Sequence, residues 1–317
     1  MLMQCGAVKS RYNSGNKQRA ERDGTSASLP LAAIISGLVM ITWYWFAWLY
    51  YRYRKFIKPT LSTFVFDGAL AALIVSSFGA WGVSVFQFTS VDSPLISTGL
   101  THFFLSVFTE GWAVLGILGI LWHFAEIEDT PFNFNWLWQP ILFGSMLVFP
   151  FSLSESVITP TMLYTAKIGT LLRAGSLTLN LYLLFTSGRF KGYIWKSILL
   201  LIAIKIILQF ATIIPTGIWP GQHGLRVLYL HVIMLGMVSI LFIQIFSYGR
   251  DPISKLLFTS SVFLILLSLT MISGYWPPLL MLPDLYFWIM IAAFLPIIPA
   301  IWMLCSNNFR AKNERRA

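Results

Sequence analysis

Residues 101–126, THFFLSVFTEGWAVLGILGILWHFAE, form a long apolar stretch that carries two histidines and an internal carboxylate. On a helix that turns by about 100° per residue, the polar and small side chains of this stretch collect on one face. The residues within about 60° of His102 are Ser106, Thr109, Ala113, Gly116 and His123. Glu110 lies about 80° from His102. Lipid offers no partner to such a face, so the pattern predicts a helix packed inside a membrane bundle.

The composition of the whole chain agrees with this interpretation. Of 317 residues, 57% are hydrophobic and 11% are charged, whereas soluble domains are about 25% charged. The formal net charge of +10 comes largely from basic residues in short segments between apolar runs, which is typical of the positive-inside rule rather than of nucleic-acid binding. Cys5 and Cys305 stand alone, so neither a disulfide framework nor a cysteine metal site is predicted.

The apolar runs predict an all-α, polytopic helical bundle of about nine spans that contacts the lipid bilayer. The expected domains are a disordered basic tail (1–28), the bundle (29–305) and a basic cytoplasmic tail (306–317). The predicted spans are about 29–51, 61–88, 99–125, 136–153, 161–187, 194–216, 225–248, 253–273 and 284–305. The fourth is the shortest, and it contains Pro140 and Pro150.

The connections between the spans predict an orientation in the membrane. Segments 52–58, 189–196, 250–255 and 310–316 carry thirteen Lys and Arg residues, while the opposite connections carry only Arg226. The C-terminus is therefore expected inside and the N-terminus outside, in a bacterial cytoplasmic membrane.

The basic tail of residues 1–28 conflicts with this orientation. Three explanations stay open: the tail crosses despite its charge, the first span is not an ordinary transmembrane helix, or the natural start lies later in the chain.

Two acids, Asp67 and Glu110, and two bases, Arg173 and Lys205, lie well inside the predicted spans. Lys167 is a third base, about six residues from an outer end, where its side chain can reach the interface. Charges in the bilayer are costly, so each is a candidate for function. One interpretation is structural, with an acid and a base paired between helices. The other is functional: Arg173 and Lys205 hold an anionic group such as a substrate carboxylate or haem propionates, while Glu110 or Asp67 takes up a proton.

The two basic residues also mark polar helix faces that are expected to be interior. Arg173 shares its face with Ala166, Gly169, Ser176 and Asn180. Lys205 shares its face with Gln209, Thr212 and Thr216.

Two spans that run in the same predicted direction carry a histidine near their outer ends, His102 about three residues and His231 about six residues below the outer surface. At about 1.5 Å per residue their depths differ by only about 5 Å, so the two imidazoles can ligate one metal centre from opposite sides if their helices face each other. Imidazole is the common axial ligand of membrane haem. The alternative is that each histidine hydrogen-bonds to a neighbour. His123 and His223 are expected at the two interfaces.

The runs HFFLSVFTEGWAVLGILGIL (102–121) and RVLYLHVIMLGMVS (226–239) resemble the paired histidine-bearing helices of small membrane proteins distantly related to the catalytic subunit of haem-copper oxidases. The resemblance covers two of the nine predicted spans. It implies that His102 and His231 ligate haem near the outer face. The chain departs from the family at the copper site, because it has four histidines, no adjacent pair, and no tyrosine four residues after a histidine. What remains implied is a haem-binding or sensing relative without oxygen reduction, or a relative in fold that lacks haem.

The leading hypothesis from the sequence is a membrane protein that binds haem b through His102 and His231, for electron transfer, gas sensing or haem handling. Arg173 and Lys205 are then the propionate partners. One rival is a transporter of a small anion or proton-coupled solute, and the other is a structural subunit that contacts further subunits of a membrane complex. No nucleotide-binding or hydrolytic motif occurs in the chain, so an independent enzyme is not expected.

Overall fold

The computed structural model describes residues 34–88, 94–126, 134–153, 158–213, 223–246, 252–272, 276–277 and 283–303. Helix dominates these ranges, and none of their residues lies in a strand. This confirms the predicted all-α class. The predicted tails 1–28 and 306–317 and the residue Thr216 lie outside the described residues.

The helices follow one another in a simple series. In chain order they are α1 (Ile34–Arg54), α2 (Leu61–Phe88), α3 (Pro94–Ser106), α4 (Val114–Ala125), α5 (Asn135–Leu147), α6 (Pro160–Thr186), α7 (Tyr193–Ala211), α8 (His223–His231), α9 (Ser239–Phe246), α10 (Pro252–Met271), α11 (Leu285–Phe294) and α12 (297–303). Two π-helical segments join neighbouring helices: π1 (Val107–Ala113) between α3 and α4, and π2 (Val232–Val238) between α8 and α9.

Eight helical segments of the described chain are long and apolar enough to cross a membrane. The protein is therefore an integral membrane protein in contact with a lipid bilayer. The orientation of its termini stays a prediction.

The predicted fourth span is the one that differs from these eight. The structure has a 13-residue helix, α5, followed by a 3₁₀ turn at Phe149–Ser152, and neither alone is long enough to span. Proline explains the interruption, because Pro140 lies inside α5 and Pro150 lies in the turn, and each removes a backbone donor.

The interrupted segment nevertheless runs alongside its neighbours. At one end the Leu137 carbonyl oxygen accepts a 2.8 Å hydrogen bond from Asn180 Nδ2, and Asn180 Oδ1 accepts one of 2.8 Å from Trp122 Nε1 near the end of α4. At the other end the ring centroid of Phe149 lies 5.8 Å from that of Phe103 in α3. The segment therefore extends along the helix pair α3–α4 from near its end to near its beginning.

Close packing of α5 on α6 depends on two glycines. An added Cβ at Gly144 would lie 2.5 Å from Arg173 Cγ and 2.5 Å from the Gly169 carbonyl oxygen. The space at Gly169 is equally small, because an added Cβ there would lie 2.7 Å from Leu147 Cβ and 2.8 Å from the Gly144 carbonyl oxygen. Small residues permit this approach, as they do in membrane bundles generally. Gly144 thereby leaves space for the stem of the buried Arg173.

The described chain divides into two compact units. One comprises residues 1–57 and 84–90; its described part is α1, residues 55–57 and the last turn of α2. The apolar side chains of α1 are largely exposed, as a lipid-facing helix requires. The other comprises residues 58–83 and 91–317 and contains a continuous buried core contributed by α2, π1, π2 and α4 to α12.

The two π-helical segments pack against each other in the core of the second unit. Each has glycine at its fifth position, Gly111 and Gly236. A π turn holds more residues than an α turn, so it changes which side chains of the following helix point inward. The stripe predicted for residues 101–126 is divided there: His102 and Ser106 face the interior region described below, whereas His123 is exposed.

We expect Gly169→Ala to lower the melting temperature of the purified protein, because overpacking of a close helix contact typically costs about 1–3 kcal/mol. Gly175→Ala in the same helix is the matched control, since nothing lies within 4 Å of a Cβ at that position. The control is expected to melt at or above the wild-type temperature, because alanine is the better helix former. Equal melting temperatures for the two variants would contradict the close packing of α5 on α6.

Candidate functional site

Glu110, in π1, lies at the centre of a buried ionic cluster. Its Oε2 is 2.6 Å from Lys205 Nζ of α7 and 3.3 Å from Arg173 Nη1 of α6. The three side chains are almost inaccessible, with exposed fractions of 5% for Glu110, 0% for Lys205 and 3% for Arg173. One carboxylate thus forms ion pairs with two cations from two further helices.

Tyr229, in α8, joins both cations from a fourth element. Its hydroxyl oxygen accepts hydrogen bonds from Lys205 Nζ at 2.8 Å and from Arg173 Nη2 at 3.1 Å. The ammonium also lies 4.7 Å from the centroid of the tyrosine ring, close enough for a cation–π interaction. Sequence reasoning missed this residue. Its hydroxyl group in an otherwise apolar span could have identified it as a site residue, since a buried tyrosine usually has a hydrogen-bond partner.

Gln209, one turn after Lys205 in α7, accepts further hydrogen bonds from Arg173. With its amide oxygen turned toward the guanidinium, it accepts from Arg173 Nη2 at 2.7 Å and from Nε at 2.6 Å. In the reverse orientation the oxygen makes one contact of 3.4 Å with Lys205 Nζ. The first orientation is preferred because it satisfies two donors that would otherwise face the amide nitrogen.

The cluster forms the wall of a partly open cavity of about 240 Å³. The polar side chains that line it are His102, Ser106, Thr109, Glu110, Ser152, Arg173, Thr212, Arg226 and Tyr229. The apolar side chains are Leu105, Val148, Phe151, Val227 and Leu230. A small polar solute can therefore be surrounded by hydrogen-bonding groups and apolar surface together, as ligand sites generally require.

The positive charge of this cavity exceeds its negative charge. Arg173 and Arg226 line it, Glu110 is the one carboxylate among its described lining residues, and Lys205 lies directly behind that carboxylate. Arg226 is half-buried and donates from Nη1 to the Ser152 carbonyl oxygen at 3.1 Å. Within the described chain no carboxylate forms an ion pair with Arg226.

Within the described chain, three buried polar atoms of the cavity residues form no hydrogen bond: Glu110 Oε1, Arg226 Nε and Arg173 Nη1, the last of which keeps only its ion-pair contact with Glu110. Such atoms are rare in folded proteins, because each costs the desolvation of the group, and more when the group is charged. Their concentration on the residues around one cavity indicates where a bound solute or water is needed.

The opposite side of the cluster is closed. Lys205 borders a narrow apolar gap between α4, α6, α7 and π2, lined by residues such as Ile117, Leu177 and Met237. This gap has no room for a water molecule. The ionic cluster therefore separates a polar cavity from an apolar core.

The structure brings together most of the residues that the sequence singled out. Glu110, Arg173 and Lys205 meet directly, and the two predicted polar faces are interior, since Ala166, Gly169, Ser176 and Asn180 are buried on α6 and Gln209 and Thr212 are buried on α7. Asp67 is half-buried on α2 and does not line the cavity.

The two histidines proposed as haem ligands do not line the same cavity. His102 is half-buried and lines it, whereas His231 does not. Nδ1 of His231 is instead hydrogen-bonded to the Val227 carbonyl oxygen at 2.7 Å, one turn earlier in α8. Among the described residues no group of three or more His, Cys, Asp or Glu side chains is placed to hold a metal ion.

Comparisons of the chain with protein-family models, curated proteins and solved structures found no match. The geometry of the site itself must therefore carry the functional argument.

We expect Glu110→Gln to destabilise the protein more than Lys205→Met does. The first change leaves two buried cations facing each other, and an uncompensated buried charge typically costs about 3–5 kcal/mol. The second leaves the ion pair between Glu110 and Arg173 in place. Thermal unfolding in detergent measures both.

Combining the two changes should recover part of the stability lost in Glu110→Gln, because one of the two unpaired cations is then removed. Glu126→Gln is the control, since its ion pair with Arg189 is exposed and such pairs contribute little. A larger loss in Lys205→Met than in Glu110→Gln would contradict the central role of Glu110.

Proposed function

We propose that the protein is a membrane carrier for a small anion, which binds in the cavity between Arg173 and Arg226 and moves together with a proton taken up by Glu110. The observation that carries this proposal is the excess of positive charge around the cavity. Two arginines line it and a lysine lies behind it, while Glu110 is the one carboxylate among the described residues of its wall.

The charge balance favours an anionic solute over a neutral or cationic one. A charge removed from water is costly unless it is paired and hydrogen-bonded. Glu110 offsets one of the two cations that it contacts, and the remaining partners of Arg173, which are Tyr229 and Gln209, are neutral. A bound anion would supply the missing negative charge where the two guanidinium groups line the cavity.

Two guanidinium nitrogens favour an oxyanion. Arg226 Nε has no hydrogen-bond acceptor among the described residues, and Arg173 Nη1 has only its 3.3 Å ion-pair contact with Glu110 and no hydrogen bond. Guanidinium groups match the paired oxygens of carboxylates and similar anions. A cavity of about 240 Å³ lies just below the common range of about 300–1,000 Å³ for ligand pockets. The expected substrate is therefore an anion of a few heavy atoms.

The unpartnered Oε1 of Glu110 favours coupling to a proton. This oxygen is a buried acceptor without a donor, and either a proton or a protonated solute would satisfy it. A protonated Glu110 would also release part of its hold on Arg173, so the guanidinium could turn to the anion. Intramembrane carboxylates often serve as proton carriers in transporters.

We expect saturable uptake, into proteoliposomes containing the purified protein, of at least one anion from a panel of acetate, lactate, bicarbonate, nitrate and phosphate. Arg226→Gln should raise the half-saturating concentration about tenfold or more, because a hydrogen bond to a charged group contributes about 1.5–3 kcal/mol. Arg189→Gln, which removes an exposed arginine that does not line the cavity, is the matched control. An unchanged half-saturating concentration in Arg226→Gln would place the anion elsewhere.

Haem b bound through histidine is a second proposal, and it is supported by one observation. The hydrogen bond from His231 Nδ1 to a carbonyl oxygen fixes the ring and leaves Nε2 with a free lone pair, which is the usual arrangement for a metal-ligating histidine. Against it, the cavity lined by His102 does not include His231 and is small for a cofactor pocket. The residues present therefore do not fit a haem held between these two histidines in this conformation.

An absorption spectrum of protein produced with ample haem decides between the two proposals. The carrier proposal expects no Soret band, while the haem proposal expects one that His231→Ala weakens and His102→Ala shifts. If a band is present and neither variant changes it, these histidines are not the ligands. If there is neither a band nor anion uptake, the remaining proposal is a structural subunit of a membrane complex.

A further inference from the structure

The outer wall of the bundle has a groove between α6 and α7 that belongs to neither proposed function. Its volume is about 530 Å³. Most of its lining side chains are apolar, including Leu181, Phe185, Leu199 and Leu200, and Lys196 also lines it. It shares no lining residue with the cavity around Glu110.

The groove has a charged end and an apolar end. On α6 it extends from Thr178 to Phe185 and on α7 from Lys196 to Ala203, which is about 10 Å along each helix. The two helices are consecutive and joined by the short connection after Thr186, so Lys196, in the first turn of α7, lies at the end nearest that connection. Beyond it the walls are apolar.

Further positive charge surrounds this end. Arg189 and Lys191 lie in the connection between the two helices, and both they and Lys196 are exposed. Glu126 is 3.7 Å from Arg189 and offsets one of the three charges. The remaining positive charge stands directly beside an apolar groove.

We propose that this groove is a binding site for one molecule of an anionic glycerophospholipid, with its phosphate at Lys196 and part of an acyl chain along Leu200 and Leu181. Charge complementarity identifies this occupant. A zwitterionic lipid would bring no net negative charge to the basic end, and a free phosphate ion would leave the apolar walls uncovered. Basic pockets between transmembrane helices are known recognition sites for anionic lipid headgroups.

The position of the groove agrees with the predicted orientation of the chain. The connection 187–192 is among those that the distribution of Lys and Arg places inside. Anionic lipids give the cytoplasmic leaflet its negative surface potential, so the basic end would meet them there.

The test uses the full chain purified in detergent, with lipid binding measured by native mass spectrometry and by the shift in melting temperature. The two lipids compared are phosphatidylglycerol and phosphatidylcholine with identical acyl chains. We expect phosphatidylglycerol to bind at least about fivefold more tightly, the ratio given by one lysine–headgroup interaction. Lys196→Ala should remove this preference. Lys167→Ala, in α6 but outside the groove, is the matched control and should retain it.

Two further measurements separate the headgroup from the acyl chain. Ala203→Trp places a bulky ring in the groove without a change of charge, and it should weaken binding of phosphatidylglycerol. Glycerol 3-phosphate, which carries the phosphate without acyl chains, should not raise the melting temperature. Equal binding of the two lipids, or an unchanged preference in Lys196→Ala, would show ordinary bilayer contact only and would overturn the proposal. Because the readout is lipid binding, its failure is distinct from a failure of anion uptake.

Discussion

The rest of the core is arranged around the carboxylate of Glu110, which is shared by Lys205 and Arg173. Inside a bundle surrounded by lipid, a charged side chain is not hydrated, so each cation must be paired with a negatively charged or hydrogen-bonding group of the protein or of a ligand. One acceptor that serves two helices fixes the depth and rotation of π1, α6 and α7 relative to one another. Tyr229 adds α8 to the same arrangement through its hydroxyl group. Side chains from four elements of the chain are thereby held in register by one buried cluster.

This requirement accounts for local features that otherwise look unfavourable. A helix interior normally disfavours glycine, yet Gly144 is needed because any Cβ there would meet the stem of Arg173. The π-helical turn around Glu110 departs from regular α-helical bonding, and π turns often occur at functional sites because they redirect a side chain. Proline in α5 shortens that helix, but the segment still follows its neighbours because Asn180 and Phe103 contact its two ends. Packing and charge therefore determine the same geometry.

Sequence periodicity was sufficient for the fold class, for most spans, and for the polar faces that contain Arg173 and Lys205. It could not show which faces oppose each other, because helix order in space depends on contacts between distant segments. It assigned Glu110 to the edge of its stripe, since a uniform 100° step does not allow for a π turn. Arg226 was considered only as a topological charge, although it lines the cavity. Tyr229 was overlooked because an aromatic residue in an apolar span resembles ordinary core. The pairing of His102 with His231 assumed that similar depth brings two helices together.

The balance between a structural and a ligand-binding role depends on the second cation. A structural ion pair needs one acid and one base, and even that pair is often no more stable than apolar residues of similar volume. Lys205 with Glu110 already makes such a pair, at 2.6 Å. Arg173 adds another buried charge whose other partners, Gln209 and Tyr229, are neutral, and it faces a cavity that a second arginine also lines. Stability alone gives no reason to bury this extra charge beside a cavity. Binding of a negatively charged solute does give such a reason, because the buried guanidinium, which destabilises the protein while its charge is uncompensated, would then contribute to the affinity for the solute.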